Sequence, residues 1–195
     1  MIEVALRLIA NELDQALRLQ TPGGANLVVL SNLVDSAGAP VPEAADHIAA
    51  FLVNIEREVI PARALRRTDA GQDRLAMVQP PVHLNLLVMF AANFSGSKYD
   101  EALKQISNTI AFFQSRPVFT PANAPALDPD IEQLSLEIEN LNTTDLSNLW
   151  GILGGRYLPS VLYRVRMITI DSERLERQPR RIERTLADAI PSGAS

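Results

Sequence analysis

The chain has 195 residues, enough to bury one sizeable core, and its 47% hydrophobic and 21% charged residues suit a globular protein rather than a disordered one. A formal net charge of −5 argues against a surface built for nucleic acid. The absence of cysteine excludes disulfides, thiolate catalysis and cysteine-held zinc.

Residues 2–20 read as an amphipathic helix. Ile2, Leu6, Ile9, Leu13 and Leu17 form its apolar stripe, widened by Ala5 and Leu8, and Thr21-Pro22-Gly23-Gly24 ends it. This start lacks the basic patch and apolar run of a secretory signal, and the longest apolar runs are far short of a membrane span. The expectation is a protein made in the cytoplasm without a signal peptide, with no membrane partner. Residues 26–34 predict a strand and residues 35–46 an Ala- and Pro-rich loop. A second strand is expected over Ala50–Glu58, because Phe51, Val53 and Ile55 alternate. Its Ala, Leu and Glu content would also suit a helix. Residues 61–79 carry four arginines with no clear period and read as a polar loop or hairpin arm.

The centre of the chain is Pro80–Phe119. Val82, Leu84, Leu86, Val88, Phe90 and Ala92 would share one face of a strand. His83, Asn85, Leu87, Met89 and Ala91 would share the other. That second face turns apolar after Asn85, which predicts a central strand covered on both faces in its later half. Ser97 is a candidate helix cap with Asp100 three residues on. The helix to Ser115 would bury Tyr99, Leu103, Ile106, Ile110 and Phe113, and Pro117 stops it.

A Pro-rich link, 121–130, leads to residues 131–140. There Leu134, Leu136 and Ile138 point inward and Ser135, Glu137 and Glu139 outward, as in a strand near a sheet edge. Thr144 is expected to cap a short helix closed by Gly154-Gly155. Residues 158–171 predict the longest strand. Residues 172–195 are charged and split by Pro179, and Ile182, Leu186 and Ile190 give a short amphipathic helix in their second half. The expected layout is a domain over 1–171 followed by a charged, partly helical segment, 172–195. The fold class is α/β in the α+β sense: a mostly antiparallel sheet flanked by helices at 2–20, 97–115 and 144–153.

No catalytic, cofactor or metal motif emerges. His47 and His83 lie in different elements without ligand spacing. Glu137 and Glu139 are adjacent on one strand face, the pattern of a solvated edge rather than of two carboxylates facing across a cleft. Gly23-Gly24 follows a helix and precedes a strand, the reverse of a phosphate loop. There is no GxSxG elbow. Trp150 reads as a core anchor.

Charge is segregated along the chain. Between Arg116 and Arg156 there are six acids and no base, whereas Arg156 to Arg184 holds eight arginines against four acids. Only Lys98 and Lys104 among the 18 basic residues are lysines, and arginine is favoured at interfaces. Head-to-tail contact between copies would use such blocks, as would neutralisation inside one subunit. The interface candidates are Arg156, Arg164, Arg166, Glu137, Glu139, Ile182, Leu186 and Ile190. Arg164 and Arg166 share a strand face, and pairing with Glu137 or Glu139 in the same subunit is the competing assignment.

The pieces NLVVLSNLV, FLVNIERE, NLLVMFAANFS…YDEALKQIS…FFQ and DLSNLWGILGGRYLPSVLYRVRM occur in this order. Together, over roughly residues 1–171, they resemble the N-terminal domain of the cap, or tail-terminator, proteins of extracellular contractile injection systems. The antifeeding prophage and the Photorhabdus virulence cassettes typify these particles. The resemblance implies a tail-terminator-like fold and no enzymatic activity or cofactor. It also implies a homo-hexameric ring that closes the distal end of an inner tube and sheath, with the tube and sheath proteins as partners, in a particle that can be released. Some relatives continue into a further variable region, whereas this sequence stops at Ser195, and roles assigned to that region are not carried over. An adaptor docking the particle to another component is the first alternative, and a small hydrolase with an unrecognised site is the second.

Overall fold

The computed structural model describes residues 1–20, 25–58 and 83–169. Helix α1 spans Ile2–Gln20, and its stripe behaves as the spacing dictates: Leu6, Ile9, Leu13 and Leu17 are buried. A carboxylate adds to this. Asp14 is buried on the same face and accepts from the backbone amides of Leu27 and Val28 at 2.7 and 3.0 Å. Arg18 pairs with it one turn on, at 2.6 Å. Asp14 therefore fixes α1 to the entry of strand β1, Val28–Leu30.

Among the described residues five further strands follow: β2 (His47–Arg57), β3 (His83–Asn93), β4 (Val118–Phe119), β5 (Ile131–Ile138) and β6 (Ser160–Thr169). Helix α2 (Tyr99–Ser115) lies between β3 and β4, and α3 (Thr143–Ile152) between β5 and β6. The six strands form one sheet in the order β1-β2-β3-β6-β5-β4. All pairs are antiparallel except β1 with β2. This is the expected mixed α+β architecture, with β3 central.

β3 is covered on both sides, as its composition requires. Leu86, Val88, Phe90 and Ala92 join the main core with α1 and α2. Within it, the rings of Phe90 and Phe113 lie 5.1 Å apart and those of Phe113 and Tyr163 5.0 Å apart. Met89 and Ala91 join a second core with Phe51, Leu162 and Trp150. Trp150 of α3 is buried there, as an anchor.

The structure corrects several local expectations. Strand β1 covers three residues rather than the whole of 26–34; Val34 instead bridges Pro40 across a tight loop. β2 is a strand, but the alternation of Phe51, Val53 and Ile55 does not place them on one face. The register skips from Leu52 to Asn54, so Val53 is an extra residue in a β-bulge. Phe51 pairs with Met89 on the α3 side, whereas Ile55 pairs with Leu86 on the other side and is half-exposed.

The Ser97–Asp100 capping box does not form. A 3-10 turn, Gly96–Lys98, precedes α2, and no side chain caps that helix. α2 buries Ala102, Gln105, Ile106, Thr109 and Phe113 and leaves Tyr99 and Leu103 exposed. Thr109 can be buried because its hydroxyl donates to the Gln105 carbonyl at 2.8 Å. The cap of α3 is Asn142, not Thr144, and its side chain accepts from the Asp145 amide. An asparagine oxygen one residue ahead of the helix reaches the third amide, which a threonine inside the first turn cannot.

Ile138, expected inward, is half-exposed at the end of β5. β6 starts at Ser160 rather than at 158 and is described to Thr169, so the rest of its expected length lies outside the described residues. Gly154 and Gly155 close α3 at φ +96° and +72°, and the Gly155 amide donates to the Trp150 carbonyl. The expected boundary at 171, the arm 61–79 and the segment 172–195 lie outside the described residues.

Candidate functional site

The α3 side of the sheet is divided. Toward Asn93 and Ser160 it is the apolar second core. Toward Arg57 and His83 it becomes polar. Residues opposite one another in a sheet share a face, so the register defines the rows. One row is Asn54, Leu87, Arg164 and Glu137, and the next is Glu56, Asn85, Arg166 and Ser135.

Ion pairs cross these rows. Arg164 donates from Nη1 to Glu56 at 2.6 Å and from Nε to Glu139 at 2.7 Å. Arg166 donates to both carboxylate oxygens of Glu58, with Nε at 2.7 Å. Hydrogen bonding to Arg164 holds the Glu139 carboxyl below its usual range. The same bonds, to Glu139 first and Glu56 second, raise the Arg164 guanidinium above its already high value. Arg164 is 30% exposed and Arg166 47%, so solvent screens both networks.

A shallow cleft of about 130 Å³ sits over this half-face, lined by Glu58, Asn85, Ser135, Glu137, Arg164 and Arg166. Among the described residues, the side chains of Asn85, Ser135 and Glu137 have no hydrogen-bond or ion-pair partner. Neither histidine lines the cleft. No group of three or more potential metal ligands occurs among the described residues. None of the described helices is long and apolar enough to cross a membrane.

The structure thus gathers Arg164, Arg166, Glu137 and Glu139 on one surface. It satisfies the arginines internally, with Glu139 as the pairing weighed from sequence and with Glu56 and Glu58 as partners that sequence did not suggest. Their signal was present: two glutamates spaced by two, matching two arginines spaced by two. Arg156 is exposed after α3 and is not part of this network. Ile182, Leu186 and Ile190 lie outside the described residues.

Residues 5–184 match the family described as the Pvc16 N-terminal domain. The chain belongs to that family. No curated protein matches its sequence. Among solved structures, the fold is similar to the PVC sheath/tube terminator of an extracellular contractile injection system in its extended state. That match has a TM-score of 0.52 and 14% identity, over 96% of this chain and 64% of the other. It is also similar to the anti-feeding prophage cap, a tube terminating cap, with a TM-score of 0.50 and 16% identity, over 92% of this chain and 59% of the other. At these identities the likeness is one of fold. The chain spans less than two thirds of the length of either solved chain.

Proposed function

We propose that this chain is a cap, or terminator, subunit of a phage-tail-like contractile injection particle. Copies of it close into a hexameric ring on the distal end of the inner tube and sheath, contacting both proteins. The observation that carries this reading is membership of the Pvc16 N-terminal domain family across residues 5–184. The fold shared with a sheath/tube terminator and a tube terminating cap supports it. The role is structural rather than enzymatic, and the protein travels with a particle assembled in the cytoplasm.

Of the arginines weighed for a heterologous contact that closes on itself, Arg164 and Arg166 are paired within the subunit. Arg156 is a candidate for that contact, because it is exposed and unpaired among the described residues.

Co-expression with the tube and sheath proteins of its particle, followed by imaging of particle ends, tests the proposal. The expected result is one ring of six copies at one end. Its loss should leave tubes of uncontrolled length. Copies bound only to another particle component, with normal ends in their absence, would make the protein an adaptor. A two-fold dimer as the sole assembled form would sink the ring.

A further inference from the structure

The charged half-face has more acceptors than donors. Arg164 and Arg166 are its only cations among the described residues, and Glu56, Glu58 and Glu139 already occupy them. What remains unused is the Glu137 carboxylate with the Asn85 amide and the Ser135 hydroxyl, all lining one cleft. An incoming anion would meet guanidiniums already saturated by carboxylates and would add like charge. An incoming donor would meet free acceptors and an excess of negative charge. A guanidinium suits this better than an ammonium, because it is planar, carries several donors and is weakly hydrated.

The chain carries such groups within reach. Residues 177–184, RQPRRIER, hold Arg177, Arg180, Arg181 and Arg184 against one acid, Glu183. β6, the strand that bears Arg164 and Arg166, is described to Thr169. Arg177 is eight residues on from Thr169, up to roughly 26 Å of extended chain. Arg166 lies about 10 Å back along the strand from Thr169. The segment can therefore return over the face of its own subunit, where tethering gives it an effective concentration in the millimolar range.

We infer that the cleft lined by Glu137, Asn85 and Ser135 is a docking site for an arginine of this chain's own 177–184 stretch. The inference is independent of the capping role, since it concerns a contact within one subunit.

The natural lack of cysteine allows a test in the full chain without background thiols. Ser135→Cys, which keeps the Glu137 carboxylate, is combined in turn with cysteine at 178, 182 and 183, which keeps the arginines, and a short bis-maleimide is added. The expected product is an intrachain crosslink in at least one pair. Its yield should fall severalfold in 1 M salt, where the screening length is about 3 Å. Exclusively interchain crosslinks would overturn the inference in favour of a second copy as the source of the arginine. No crosslink in any pair would overturn it outright. A second measurement needs no crosslinker: amide exchange over 177–184 should quicken severalfold in Glu137→Gln, and unchanged exchange would refute the contact. If cysteine at 135 instead couples to one placed at 64, 68 or 75, the occupant is the β2–β3 connection and the inference fails.

Discussion

Arg164 on β6 reaches over the intervening strand β3 to Glu56 on β2, 108 residues earlier, at 2.6 Å. Arg166 and Glu58 repeat the same offset of 108. The constant offset follows from topology: β2 and β6 both run antiparallel to β3 and so run parallel to each other. These bonds tie together strands that share no backbone ladder.

Arg164→Ala removes two charge-assisted bonds and the aliphatic stem that lies beside Leu87, its cross-strand partner. The orphaned Glu56 and Glu139 are 41% and 30% exposed and rehydrate. The expected loss is about 1–2 kcal/mol in denaturant unfolding. A change within about 0.3 kcal/mol would show that the network contributes nothing net.

The Glu139–Arg164 bond predicts a pH dependence with a definite sign. The folded-state value of Glu139 lies below its ordinary 4.5, so the folded state binds its proton less readily than the unfolded chain. The stabilisation is complete above the ordinary value and is lost as pH falls through the depressed one. Unfolding of Glu139→Gln should therefore differ from that of the parent at pH 7, and the difference should shrink steadily below pH 4.5. A gap that stays constant to pH 2 would contradict this origin.

Tyr163 is buried in the aromatic core, and burial pushes its phenol up to about 12. Its hydroxyl has no hydrogen-bond partner among the described residues. Tyr163→Phe should thus be neutral or stabilising, by up to about 1 kcal/mol near neutral pH. Above pH 10 the parent loses stability as the unfolded phenol ionises first, and the variant should lose less over that interval. A loss of more than about 1 kcal/mol in the variant would reveal a partner for the hydroxyl.

The two glycines after α3 should respond unequally. Gly155→Ala meets only the backbone cost of φ +72°, about 1–2 kcal/mol, since no atom lies within 4 Å of the new methyl. Gly154→Ala adds a 3.2 Å approach to Cγ1 of Val34 at φ +96° and should lose more. Thermal unfolding of the two variants ranks them, and the reverse order would mean that the Val34 loop yields freely.

Helix α1 and the two-sided burial of β3 were legible because each rests on a long periodic run whose apolar stripe has one place to go. The fold class followed from those runs together with the family likeness. The buried face of α2 was not legible, because Ala102, Gln105 and Thr109 face the core where Tyr99 and Leu103 seemed stronger candidates. Hydrophobicity alone favours the larger residues, whereas close approach of a helix to a sheet favours small ones and a self-satisfied threonine. The partners of Arg164 and Arg166 were hidden for a different reason. Cross-strand neighbours depend on register, and register depends on an extra residue at Val53 that no propensity signals. Asp14, a lone carboxylate in an apolar stripe, gave no hint that two backbone amides would meet it.

The bulge at Val53 makes β2 behave like a reading frame. Were Val53 paired with Leu87 instead of standing out of the ladder, Ile55 would lie opposite Asn85 beside Arg166, and Glu56 opposite Leu84 on the other side. One residue left out of the ladder thereby decides which side of the sheet carries charge.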